Sequence, residues 1–267
     1  GRTKEEILLT AHICHPSLAN DNLSGITLLA FVAKLLPENP RYTYRFLFIP
    51  GTIGSITWLA LNQRKTKNIK HGLVASLLGD AGGFTYKKSR RGNTEIDQVV
   101  NNVLVTCGKE YQHIDFFPYG YDERQFCSPG FNLAVGNLSR SQFGQFPEYH
   151  TSADNLDFIK AEYLQESFEI YQHILYTLEK NNYWINQNPY CEPQLGKRGL
   201  YDSIGGFSDR KEMQMAMLWI LNLSDGEHSL LDIAEKSGYD FDLIVKVSEL
   251  LEKKKLLFLK PQSHLDT

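Results

Sequence analysis

The stretch EILLTAHICHPSLANDNLSGITLLAFVAKLL, residues 6–36, frames the reading of the whole chain. Glu6 to Ala11 is a short apolar run that favours β structure and stops in a polar cluster, the pattern of a buried strand. After a loop around Pro16 to Asn22, Gly25 to Leu36 reads as a helix, with Ser24 near its cap and Pro37 and Pro40 to stop it. Outward from there, Tyr44 to Ile49 reads as a second strand with a turn at Pro50-Gly51, and Ser55 to Asn62 as a second helix. Leu73 to Leu78 reads as a third strand, ending in Gly79-Asp80. Strand, helix, strand, helix, strand predicts an α/β domain with a largely parallel sheet. A strand this close to residue 1 leaves little room for earlier elements, so the expectation is a domain lacking an upstream segment.

From Tyr86 to Phe146 the chain is rich in Gly, Asn, Pro and aromatics, and only Val99 to Cys107 and Leu133 to Leu138 look regular. Ala161 to Lys180 returns to a helical period, with Tyr163, Phe168, Tyr171, Ile174 and Leu178 on one face. Asn181 to Gly206, with its prolines and glycines, reads as a linker. Beyond it, helices at Glu212 to Leu223, Ser229 to Ser237 and Asp242 to Lys254, then a strand at Leu256 to Leu259, suit a winged-helix arrangement. Two domains are therefore expected, 1–204 and 205–267.

The chain has 267 residues, a net charge of -3 and a pI near 6.3, which excludes nucleic-acid binding driven by bulk charge. No apolar run approaches the roughly 18–20 residues of a membrane span, and residues 1–6 lack the apolar stretch of a signal peptide. Four cysteines without CxxC spacing read as free thiols of a cytoplasmic globular protein. From Asp209 onward, eight Lys and Arg face eleven Asp and Glu, so the tail carries the whole negative excess. Asp240, Asp242 and Glu249 on the recognition helix would repel phosphate. No nucleic-acid or membrane partner is expected, and the module is read as a packing, protein-contact or homo-oligomer surface.

Ligands of open α/β sheets bind at the carboxyl ends of the strands. Here those ends carry His12-Ile13-Cys14-His15 with Asn20-Asp21-Asn22, then Gly51-Thr52, then Asp80. Glu148-Tyr149-His150-Thr151-Ser152-Ala153-Asp154 precedes the long helix. Imidazole with carboxylate is a ligand mixture that zinc accepts.

These segments resemble the zinc aminopeptidase superfamily that includes the bacterial leucyl aminopeptidases: His-x-Asp at a strand end, Asp-Asn-x-Ser-Gly at a helix start, Glu-Glu, Asp and His. A nearer resemblance is to the aminopeptidase-like proteins of polysaccharide-biosynthesis gene clusters. It is carried by His12-Ile13-Cys14-His15-Pro16-Ser17, Asp21-Asn22-Leu23-Ser24-Gly25, Gly120-Tyr121-Asp122-Glu123-Arg124-Gln125 and Glu148 to Asp154, and by the winged-helix tail. The resemblance implies a three-layer α/β/α domain with a mixed, mostly parallel sheet. It also implies hydrolysis of peptide or related amide bonds by metal-activated water. His12, Asp21 and Asp80 match the ligands of one zinc, with Asp21 bridging, and His150 matches a ligand of the second. Asn22 and Asp154 match positions that orient ligands. His15, three residues past His12, is an alternate ligand, and Cys14 stands where the superfamily has a supporting Asp. Gly51-Thr52 stands at the Glu-Glu station, which removes the usual general base and one ligand of the second zinc. Two expectations follow: Glu123 or Glu148 substitutes for the base, or the protein is a degenerate binding member of the family.

Overall fold

The structure, a computed structural model, describes residues 1–200 and 207–261 in two compact units, Gly1–Tyr176 and Thr177–Thr267. The first unit contains strands β1 (Glu6–His12), β2 (Thr43–Ile49), β3 (Ile69–Ala75), β4 (Phe84–Lys87), β5 (Tyr111–Ile114) and β6 (Val135–Ser139). Its helices are α1 (Gly25–Lys34), α2 (Ile53–Leu61), α3 (Glu95–Thr106), α4 (Glu123–Phe126) and α5 (Ala161–Lys180), the last running past the division between the units. The strand order is β2-β1-β3-β6-β4-β5. All neighbours are parallel except β4 and β6. Helices on this sheet give the expected three-layer α/β/α arrangement, with α1 against β1 and β3, and α3 against β3, β5 and β6.

Every residue of β1 is buried, because it lies inside the sheet beneath helices. Ile7, Leu8 and Leu9 each expose 1% or less, and full burial of such a side chain contributes about 1.5–3 kcal/mol. Gly72 in β3 is dictated by sheet contact, since a Cβ there would lie 2.7 Å from Val135 Cγ2. From α5, Ser167 Oγ donates to the Leu78 carbonyl at 2.8 Å, and Tyr171 Oη reaches the carbonyls of Val74 and Leu138 at 3.3 and 3.2 Å. These bonds fasten α5 to the ends of β3 and β6, behind the strand termini that carry the polar residues.

The segment 84–126 is more regular than its composition predicts. β4 holds Lys87 at 4% exposure, which is tolerated because the ammonium pairs with Glu123 Oε1 at 2.8 Å. β3 begins at Ile69, upstream of the apolar run that marks it, and includes His71. Burial lowers the His71 pKa to about 3, and the cations of Lys70, Arg41 and Arg91 act in the same direction. A histidine held neutral contributes stability that is fully present above its unfolded pKa near 6.5 and is lost as pH falls toward 3. At about 1.4 kcal/mol per pKa unit the loss amounts to several kcal/mol. Acid unfolding of this unit, followed by circular dichroism, should therefore begin below pH ~6.5, and His71→Gln should flatten that dependence.

The second unit contains β7 (Tyr183–Asn186), α6 (Phe207–Leu223), β8 (Asp225–Ser229), α7 (Leu230–Ser237), α8 (Phe241–Lys253) and β9 (Leu257–Leu259). The three predicted helices and the final strand are present. Ser229 caps α7 in a reciprocal capping box with Asp232, Gly238 closes it at φ 72, and Asp240 caps α8. Ile220, Leu230, Ile244, Val247 and Leu251 are buried, and the three helices pack on one another. β7 is the central strand of an antiparallel sheet ordered β8-β7-β9. It lies inside the stretch read as a linker, so the compact units divide at Tyr176–Thr177, upstream of the 204/205 boundary expected from glycine and proline content.

Candidate metal centre

β1 delivers His12 at its carboxyl end, and the chain returns to that edge through a wide helical turn at Ala19–Ser24. Local propensity does not hold this turn: Asp21 and Asn22 depart from helical φ and ψ. Distant partners fix it. The Asp154 carboxylate accepts from the backbone N–H of Asn20 at 2.6 Å and of Asp21 at 2.9 Å. The Asn20 side chain donates to Asp80 at 2.8 Å and accepts from the Gly79 N–H at 2.8 Å.

Asn22 sets the orientation of His12. Its Nδ2 donates to the Ala75 carbonyl at 2.8 Å, and its Oδ1 accepts from the N–H groups of Gly25 and Leu77, both at 3.3 Å. Three backbone groups thus fix which way the amide points. Its remaining N–H faces His12 Nδ1 at 3.3 Å, so Nδ1 accepts and the His12 proton sits on Nε2. That proton is donated to Asp21 Oδ1 at 2.6 Å. Tyr121 stacks on the His12 ring, 4.7 Å between centroids and 14° between planes, and its hydroxyl lies 3.4 Å from the same Asp21 oxygen.

The other oxygen of Asp21 meets two imidazoles, His150 Nε2 at 3.0 Å and His15 Nδ1 at 3.6 Å. Ligand atoms of His15, Asp21 and His150 lie within 4.8 Å of one another, as do those of His12, Cys14 and His15. Burial alone raises the Asp21 carboxyl, but the His12 hydrogen bond and the three neighbouring imidazoles hold it below its ordinary value. Burial lowers His15, and its partner histidines add to that against the attraction of Asp21. One carboxylate therefore stands between three imidazoles, buried on one side and open to solvent at His150, which is 49% exposed.

The other residues singled out from sequence fall at various distances from this centre. Asp80 turns away: its Oδ1 accepts from Gly82 N–H at 2.7 Å and Ser141 Oγ at 2.5 Å, and its Oδ2 from Asn20. Its hydrogen bond to the Asp21 turn is the one from Asn20. Cys14 is exposed, its Sγ 3.9 Å from His15 Nδ1. Glu123 is buried against Lys87, above Gly120, where a Cβ would lie 2.6 Å from Glu123 Oε1. Its partner is Lys87, not the adjacent Arg124. Glu148 is half-buried, and its carbonyl caps the turn that presents His150 by accepting from Thr151 N–H at 3.1 Å.

Asp122 is a residue that sequence reasoning passed over. It is fully buried, Ser55 Oγ donates to its Oδ1 at 2.7 Å, and its Oδ2 has no hydrogen-bond partner among the described residues. Burial raises its pKa to about 6, with the Ser55 hydrogen bond pulling the other way. The available signal was a carboxylate beside Glu123 in a motif segment, opposite a glycine where the superfamily has an acid.

A mixed, mostly parallel sheet with imidazoles and a carboxylate at its strand ends has an aminopeptidase-like fold. The fold matches the zinc aminopeptidase of Bacillus subtilis with a TM-score of 0.54, at 19% identity over 66% of this chain and 47% of that one. The chain belongs to the family described as a domain of unknown function, DUF4910, whose profile matches residues 1–181, and residues 182–258 match a winged helix-turn-helix. It is 55% identical, over 97% of its length, to a Clostridium acetobutylicum protein named "Putative polysaccharide biosynthesis protein with aminopeptidase-like domain". A solved structure from that organism, described as a "putative peptidase", superposes with a TM-score of 0.90 at 52% identity, covering 97% of this chain and 58% of that one. The chain spans 60% of the length of the curated relative.

Proposed function

We propose that residues 1–176 form a metal-dependent hydrolase of peptide or related amide bonds, working on one ion held by His15, Asp21 and His150. The observation that carries this reading is the convergence of their ligand atoms within 4.8 Å. Two imidazoles and a carboxylate are a donor set suited to zinc with an open position, the ion named for the Bacillus subtilis neighbour. His12 matches the superfamily's ligand by motif. In the arrangement observed its Nε2 proton faces Asp21, so it serves to orient the carboxylate, as supporting partners of ligands do. Asn22 and Asp154 fix the tautomer and the backbone behind it. When bound, a divalent ion in this position supplies Lewis acidity toward water and the scissile carbonyl. Asp80, engaged by Ser141, Gly82 and Asn20, and Gly51-Thr52, which has no carboxylate, leave a second ion poorly provided.

That last feature also favours a second reading, a catalytically degenerate member that binds a ligand without cleaving it. The two separate on zinc-loaded protein offered a panel of aminoacyl-4-nitroanilides and dipeptides. Zinc-dependent release of product that disappears in His150→Ala supports the hydrolase. Zinc binding without turnover on any probe supports the binding protein. For the second unit, the acidic balance of the tail supports protein contact or self-association over nucleic acid. Among the described residues no helix is long and apolar enough to cross a membrane, and the proposed setting is the cytoplasm.

A further inference from the structure

The Gly51-Thr52 station lacks a carboxylate in sequence, yet the space beside it is filled by one. A Cβ placed on Gly51 would lie 3.1 Å from the Cβ of His12 and 3.6 Å from each carboxylate oxygen of Asp122. The carboxylate oxygens of a glutamate stand three bonds beyond its own Cβ, a span of the same size. A glutamate at 51 is therefore long enough to set its carboxylate in the space that Asp122 occupies. Asp122 reaches that space from another part of the chain, the turn before α4, and is tied to the station itself. Its Oδ1 accepts from Ser55, in the first turn of the helix that Gly51-Thr52 leads into. Its Oδ2, buried and without a partner among the described residues, is a lone pair left uncommitted. Leaving such an oxygen unpaired costs stability, and carboxylates held this way are characteristic of functional sites.

We propose that Asp122 is the general base of this site, a carboxylate supplied from the α4 turn that takes the place of the missing glutamate. The inference rests on the hydrolase reading above. Oδ2 accepts one proton from the attacking water as its oxygen bonds to the scissile carbonyl carbon. The same oxygen returns that proton to the departing amine nitrogen as the C–N bond breaks, so the carboxylate ends the cycle ionised. The three consecutive residues of the motif then divide the work. Tyr121 packs on His12, Asp122 faces the notch beside Gly51, and Glu123 closes the ion pair with Lys87 that anchors the turn. Ser55 holds the base in place.

Two readouts test the assignment, one of them independent of metal and turnover. In metal-free protein, Gly51→Glu should lower Tm by several degrees, because it drives a second carboxylate into the space of the first. In an Asp122→Gly background the same substitution should cost clearly less, the close approach to His12 Cβ being common to both backgrounds. An equal penalty in both backgrounds would overturn the placement. With zinc loaded, Asp122→Asn should lower kcat on the nitroanilide panel by on the order of a hundredfold or more, with zinc stoichiometry and KM little changed. Gly51→Glu combined with Asp122→Gly should recover part of it. Activity that survives Asp122→Asn overturns the base assignment and leaves the hydrolase reading standing. A wild-type protein inactive on every probe removes both.

Discussion

Asp21→Asn is expected to abolish zinc binding while leaving the fold of the first unit intact. Asp21 is fully buried, with His12 on one oxygen and His15 and His150 on the other. The amide keeps the shape and can still accept from His12 through its oxygen. Its nitrogen turns toward the two remaining imidazoles, which can accept in their neutral form, so the hydrogen bonds survive in part. The negative charge does not, and neither does a ligand oxygen on that side. Since even the supporting partners of metal ligands are worth about 10–100-fold in affinity, the loss on removing Asp21 itself should exceed that range. Zinc titration calorimetry on wild type and variant reads the difference, and circular dichroism checks the fold. Binding within a few-fold of wild type would remove Asp21 from the centre.

The second large effect belongs to Asp154, which is buried and acts on the backbone of the Asp21 turn. Its two oxygens hold the backbone N–H groups of Asn20 and Asp21 at 2.6 and 2.9 Å, across more than a hundred residues of chain. The Ala19–Ser24 turn is wide and locally non-helical at Asp21 and Asn22, so its own hydrogen bonds do not fix it. Asp154→Ala leaves two buried donors unsatisfied, each costing about 1–3 kcal/mol. The sum is a sizeable part of the roughly 5–15 kcal/mol that typically separates folded from unfolded. A clear drop in the urea midpoint of the first unit is expected, with weakened zinc binding in the protein that remains folded. An unchanged midpoint would mean that the turn is held by something other than Asp154.

Much of the fold is legible because it is local. β1, α1, β2, α2, α5 and the helices of the second unit each announce themselves by periodicity and by caps or stops within a few residues. β4 and β7 do not. β4 is four residues long and carries a buried lysine whose partner, Glu123, is far along the chain. β7 sits among prolines and glycines, and is made a strand by β8 and β9 on either side. Propensity loses to tertiary pairing in both.

The site divides the same way. Order along the chain was enough to expect His12, Asp21 and His150 on one edge of the sheet, and the structure brings them together. Whether His12 presents a proton or a lone pair to Asp21 depends on its tautomer. Asn22 decides that proton through three backbone contacts that no spacing reveals. Asp80 stands at the expected strand end, but its carboxylate is claimed by Ser141 and Gly82. The acid beside Gly51 comes from a turn some seventy positions downstream. In sequence it is one letter before Glu123, and only the packed structure shows which of the two neighbours turns toward His12 and which toward Lys87.

The most direct test is the metal content of the purified, dialysed protein by elemental analysis, on wild type and Asp21→Asn side by side. A single site centred on Asp21 predicts about one zinc per chain in the wild type and close to none in the variant. A wild type without metal, or one that keeps two ions per chain, would contradict it.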